Sequence, residues 1–157
     1  MRLMQNTVPA TRPRYRERLA PSLWLLASSA VLAPMVALTL VPVSSTLGLV
    51  LGVAVAIAVI ALLITASPVV SVRDGVLRAG RAHIDTRWLG EPESLTGEDA
   101  KQARGPRLPA SGWHLIRGGI DGIVVIPNLD PDDPVQSWTV STRTPDRLAA
   151  AVRRAQD

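Results

Sequence analysis

Residues 19–72 read LAPSLWLLASSAVLAPMVALTLVPVSSTLGLVLGVAVAIAVIALLITASPVVSV, 54 consecutive positions without an Asp, Glu, Lys or Arg. Soluble domains make roughly a quarter of their residues charged and scatter them. One membrane span needs about 20 apolar residues. The stretch therefore reads as a transmembrane hairpin over residues 19–68, with spans at about 21–41 and 47–66. The second span holds twelve Leu, Ile or Val, worth roughly −4 to −7 kcal/mol of gross insertion energy. The first holds nine, diluted by Ser22, Ser28, Ser29, Pro34 and Thr39, and is expected to profit from its partner. Pro34 is expected to kink it and to free a carbonyl near its middle.

The link Pro42-Val43-Ser44-Ser45-Thr46 is long enough only for a turn. Arg12, Arg14, Arg16 and Arg18 precede the first span, Arg73, Arg78 and Arg81 follow the second, and the turn carries no charge. Positive residues stay inside, so the pattern predicts a multi-pass plasma-membrane protein with both termini cytoplasmic. A signal peptide also sets basic residues before an apolar run. Its candidate cleavage site, Val31-Leu32-Ala33, has Val31 where a small residue belongs and Pro34 just beyond. The apolar run also continues into a second span.

Gly48, Gly52 and Ala56 form a ridge of small residues four apart, and Ser29, Ala33 and Ala37 form another. Such ridges let helix backbones approach closely in lipid; packing within the chain, homodimerisation and chance all remain open at this point. Neither span holds an ionisable residue. Ion paths and proton relays in membranes use buried charge, so the hairpin reads as an anchor.

The net charge of +4 sits in residues 1–18, which hold five Arg against Glu17 and read as a basic cytoplasmic tail. Residues 73–157 balance twelve basic against twelve acidic side chains, so no basic stripe for nucleic acid is evident. Arg12, Arg14, Tyr15, Arg16 and Arg18 are the candidate membrane-surface contacts, with Tyr15 and Trp24 expected at headgroup level.

Residues 69–157 read as a β-rich cytoplasmic domain. Val69–Arg73 and Val76–Ala79 flank Asp74-Gly75, a hairpin signature. Ala82–Asp85, Trp113–Arg117, Ile120–Ile126 and Gln136–Ser141 read as further strands, and a short helix is expected after Thr96. The chain closes with a helix over 145–156, with Thr144 as N-cap, Pro145 at its first position and Asp146 in its first turn. The expected class is thus α+β: a transmembrane hairpin followed by a small pleckstrin-homology-like split β-barrel or β-sheet with a C-terminal helix.

Tyr15-Arg16-Glu17-Arg18-Leu19, the run Asp74–Ala82, Arg104-Gly105-Pro106 and the run Trp138–Leu148 together resemble an uncharacterised family of actinobacterial membrane proteins, domain of unknown function 3093, over residues 15–154. The resemblance implies two spans and a small cytoplasmic domain, and brings no established activity. The bias to arginine, sixteen against one lysine, suggests a GC-rich genome.

Catalytic patterns are sparse. Cysteine is absent, and His83 and His114 stand 31 positions apart without companions, whereas zinc wants three or four ligands. Asp130, Asp132 and Asp133 lie in a loop with two prolines, unlike a calcium loop. The glycines at 118, 119 and 122 precede a strand, whereas phosphate loops open a helix. Glu91 and Glu93 carry no signal of a paired-carboxylate cleft. No cofactor is expected. The sequence suggests a non-catalytic membrane-anchored adaptor whose partners are the lipid bilayer and a membrane protein. The alternative is a structural subunit of a transport or cell-envelope complex contributing its hairpin. The oligomeric state stays open.

Overall fold

The computed structural model describes residues 15–157. Its order is β1 (Tyr15–Arg18), α1 (Leu23–Ala30), α2 (Leu32–Leu40), α3 (Ser45–Thr65), β2 (Val69–Arg73), β3 (Val76–Ala79), β4 (Ala82–Asp85), β5 (Glu93–Leu95), α4 (Gly97–Ala103), β6 (Gly112–Leu115), β7 (Gly122–Pro127), β8 (Ser137–Thr142) and α5 (Pro145–Gln156). It is an α+β chain with two apolar helical arms and two four-stranded sheets.

Both arms are long and apolar enough to cross a membrane. Ser22 and Ser44 cap them, each accepting a bond from the backbone N–H three residues on, at 3.3 Å. The first arm is two helices rather than one. Pro34 has no N–H to offer the Ala30 carbonyl and its ring crowds that turn, so the helix breaks at Val31. The Val31 N–H turns instead to Ser28 O at 3.2 Å.

The arms meet along the small-residue ridges. Gly48, Gly52 and Ala56 are buried on α3, the two glycines against α2. A Cβ added at Gly48 would stand 2.7 Å from Ala37 O, and one at Gly52 would meet Ala33 O closer still. The seam is backbone against backbone, and only glycine permits it.

The chain leaves the hairpin where it entered. Leu19 N–H donates to Pro68 O at 2.9 Å, and β1 pairs antiparallel with β2, with Arg18 opposite Val69 and Tyr15 opposite Val72. Residues 15–18 are thus an edge strand, where the charge pattern alone predicts the end of a tail. The strand escapes notice because its inward residues are Tyr15 and Glu17 rather than two hydrophobes. β2 turns into β3 through Asp74 and Gly75, at φ of 52° and 74°, the mirror-image turn that suits a two-residue hairpin. β3 then pairs with β4, completing a meander.

The second sheet runs β5-β7-β8-β6. β8 lies antiparallel to β7 and parallel to β6, so it inserts between two strands that precede it in the chain. All six of its residues are buried. The core between the sheets joins Leu19, Val70, Val72 and Leu77 to Val124, Ile126, Trp138 and Val140. Leu148 and Val152 of α5 close it, and the Trp113 and Trp138 rings stand 6.0 Å apart. Arg153 pairs with Glu91, and Gln156 Nε2 donates to Leu89 O at 2.6 Å, fixing the end of α5.

Replacing Gly52 by leucine drives a side chain into the Ala33 backbone, and overpacking of this kind costs about 1–3 kcal/mol. Gly52→Leu is expected to lower the thermal unfolding midpoint of the detergent-solubilised protein. Ile57→Ala, on the exposed side of α3, is expected to leave it nearly unchanged. Circular dichroism checks both.

Candidate functional site

The region that joins hairpin to domain gathers polar chemistry from both ends of the chain. At its centre is Glu17, whose side chain is 14% exposed. Tyr15 OH donates to Glu17 Oε2 at 2.6 Å and Thr142 Oγ1 donates to the same oxygen at 2.5 Å. Arg143 N–H donates to Oε1 at 3.0 Å, and the Arg143 guanidinium stands 3.6 Å from that atom. With the phenol proton used on Glu17, Thr144 Oγ1 donates to Tyr15 OH at 3.0 Å. The alternation of β1 turns Tyr15 and Glu17 inward, and the end of β8 supplies Thr142. The network bridges the free edge of the first sheet to the last strand of the second. Thr144, expected as an N-cap, makes no side-chain cap bond, because its hydroxyl faces Tyr15.

Arginines from distant positions converge on the hairpin's foot. Arg143 Nη2 donates to Ala20 O at 3.0 Å. Arg117 lines a hollow with Pro21, Ser22, Trp24, Leu63 and Ala66. Gly119 lies against Ser22, so close that a Cβ would come within 2.9 Å of the serine Cβ. Arg81 sits in the β3–β4 turn beside Gly80, which faces Pro68. None of Arg117, Gly119 or Arg143 is near the hairpin in sequence, so counting charges beside the apolar stretch misses them.

A further set of arginines occupies the outer face of the first sheet. Arg16 stands opposite Ser71, Ser71 opposite Arg78, and Arg78 opposite His83, in one row across four strands. The even charge balance of residues 73–157 conceals this one-sided distribution.

A family model described as "Protein of unknown function (DUF3093)" matches residues 14–152. The chain belongs to that family. Comparison with curated proteins and with solved structures returned no match to it.

In this DUF3093 protein the structure brings Ala33, Ala37, Gly48 and Gly52 together along one seam, with Ser29 and Ala56 also buried. Arg16 and Arg18 project from the exposed side of β1. The Tyr15 ring packs against the core, because the strand alternates where a tail would not. Trp24 stays 81% exposed on α1. Arg12 and Arg14 lie outside the described residues. His83 and His114 fall on different sheets, and among the described residues no three His, Asp or Glu side chains gather as metal ligands. Asp130 and Asp133 accept backbone N–H bonds from Asp132 and Val135, which suits a self-capped loop.

Burial raises the Tyr15 phenol above its ordinary value of 10.0, and the hydrogen bond to Glu17 adds to the shift, while the contacts with Thr142 and Thr144 oppose it. The folded state favours the neutral phenol. Its contribution to stability is therefore complete below pH 10.0 and is lost as pH rises through the raised value. Tyr15 is the single tyrosine, so ultraviolet titration of its phenolate reads this directly. The expected midpoint lies above 10.0 in the folded protein and near 10.0 in denaturant, and Glu17→Gln moves the folded midpoint part-way down. A folded midpoint at or below 10.0 contradicts the network.

Proposed function

We propose that this protein is a non-catalytic, membrane-anchored adaptor. Its hairpin crosses the plasma membrane with both ends on the cytoplasmic side, and its two-sheet domain contacts a protein partner or the inner leaflet. The observation that carries the reading is the bare apolar surface of the arms. Within their apolar windows only 6% of residues in the first and 17% in the second are buried. A core helix of a soluble protein has the opposite character.

The polar groups of the arms agree. Ser29, Thr39 and Thr65 donate to carbonyls of their own helices at 2.7, 2.8 and 2.9 Å, so these three hydroxyls need no water. Arginines ring one end of the hairpin, while the turn at the other end carries only Val41, Pro42, Val43 and Ser44, as the positive-inside rule wants. Two sheets closed by a C-terminal helix support a pleckstrin-homology-like domain, although the parallel β6–β8 pair is a feature that a plain antiparallel meander lacks. A subunit contributing its hairpin to a larger bundle would use the small-residue ridge on a neighbour; here that ridge faces α2 of the same chain, which favours the adaptor.

The chain contains no cysteine, so single introduced thiols report topology. Val43→Cys is expected to react with a membrane-impermeant maleimide on intact cells, and Asp157→Cys only after permeabilisation. Labelling of Asp157→Cys from outside overturns the orientation. Crosslinking in native membranes is expected to trap a protein or lipid on the domain, and recovery of a bare monomer contradicts the adaptor.

A further inference from the structure

We propose that the outer face of the β1–β4 sheet, at its hairpin end, binds the phosphate headgroups of anionic phospholipids. The proposal rests on the hairpin crossing the bilayer and assigns the surface through which the domain meets the leaflet.

Strand alternation sets the face. Val70, Val72, Leu77, Ala79 and Ile84 are buried inward, so Arg16, Arg18, Ser71, Arg78 and His83 share the other side. Arg16 and Arg78 flank Ser71 on neighbouring strands, two strand spacings or about 10 Å apart. Between them lies a shallow hollow of about 540 Å³, lined also by Val69, Val76 and Gly80, with the Arg73–Asp74 pair at its far rim. Two long cationic side chains so placed can both reach one anion lying between them.

Position along the strands selects the occupant. The Leu19–Pro68 bond marks the hairpin's foot. Arg18 is level with Val69, beside that foot. Arg16 and Arg78 are level with Ser71, roughly 7 Å further at 3.3 Å per residue. Counted from Leu19 and Pro68, the Arg16 and Arg78 row is about 10 Å out. The headgroup layer is roughly 5–8 Å deep on each side of the hydrocarbon, so the Arg18 row lies within it and the long side chains of Arg16 and Arg78 reach back to its outer edge. Arg73 lies a further two residues out, beyond it.

Charge pairing changes at the same line. The outlying arginines have carboxylates: Arg73 with Asp74 at 3.2 Å and Arg87 with Asp85 at 3.3 Å. Arg16, Arg18, Arg78 and Arg81, nearer the foot, make no ion pair among the described residues. A sheet with its cations neutralised at the far end and left bare at the near end complements an anionic surface on the near side. An acidic protein docking on the face from solution would have no reason to respect that boundary.

The test uses the full chain in mild detergent, titrated with phosphatidylglycerol or phosphatidylcholine, with retained lipid read by native mass spectrometry. Phosphatidylglycerol is expected to be retained in preference. Arg16→Gln with Arg78→Gln is expected to weaken its binding roughly ten- to thirty-fold, while Arg87→Gln with Lys101→Gln, two ion-paired cations outside the hollow, leaves it unchanged; unaltered unfolding midpoints show that both pairs fold. Inorganic phosphate at matched concentration is expected not to displace the lipid. Equal retention of the two lipids, equal loss in the two double variants, displacement by free phosphate, or an acidic protein lost from the Arg16/Arg78 variant with no change in lipid, each overturns the proposal. A chain that stays dissolved without detergent instead defeats the membrane reading beneath it.

Discussion

The close approach of two helix backbones at Gly48 and Gly52 is the constraint from which the rest of the structure follows. With hydrogen in place of a side chain at both positions, α3 lies directly on Ala33 and Ala37 of α2. The arms then return to one place, and Arg18 meets Val69 as a strand partner across the 50 residues of residues 19–68. Bringing such distant points together through an unstructured loop costs roughly 3–4 kcal/mol in chain entropy beyond the fixed cost of closure. Here the hairpin supplies the proximity. A four-residue strand, too short to hold its place alone, becomes the edge of a sheet.

That edge is fastened by polar rather than apolar means. Glu17 takes hydrogen bonds from Tyr15, Thr142 and the Arg143 backbone, and hydrogen bonds to a charged group contribute about 1.5–3 kcal/mol each. A hydrophobe in its place would leave the Arg143 amide without its acceptor and the Tyr15 and Thr142 hydroxyls with only each other and Thr144 to bond. The network also places the Arg143 guanidinium, which turns to the carbonyls of Arg18 and Ala20. The acid, the edge strand and the entry to the hairpin are thus one unit, so the domain is seated directly on the arms.

Much of this architecture is legible in the sequence, and the reasons differ by element. The apolar arms announce themselves by the missing charges over 54 positions. Asp74-Gly75 places the β2–β3 hairpin because few dipeptides adopt two positive φ values in succession. α5 is bounded by Pro145 and an apolar stripe through Leu148 and Val152. β1 is hidden because its pattern of Tyr, Arg, Glu, Arg has no hydrophobic alternation and reads as membrane-flanking charge. β5, three residues long, lacks any periodicity to detect. The parallel seat of β6 beside β8 follows from long-range pairing that no local pattern encodes. Of the candidate site, Arg16, Arg18 and the seam residues stand out by position, whereas Arg117 and Arg143 come to the foot only through the fold.

The sheet order carries one more consequence, for the timing of assembly. β1 is the first strand to be synthesised and β2 the second, yet the whole hairpin separates them, and the network that fastens β1 waits for Thr142 and Arg143 near the chain's end. Until the arms come together, Leu19 has no core to enter and β2 shows a bare edge. Completion of the first sheet therefore depends on closure of the hairpin: a copy whose arms stay apart leaves β2 unpaired on the side that Tyr15–Arg18 cover.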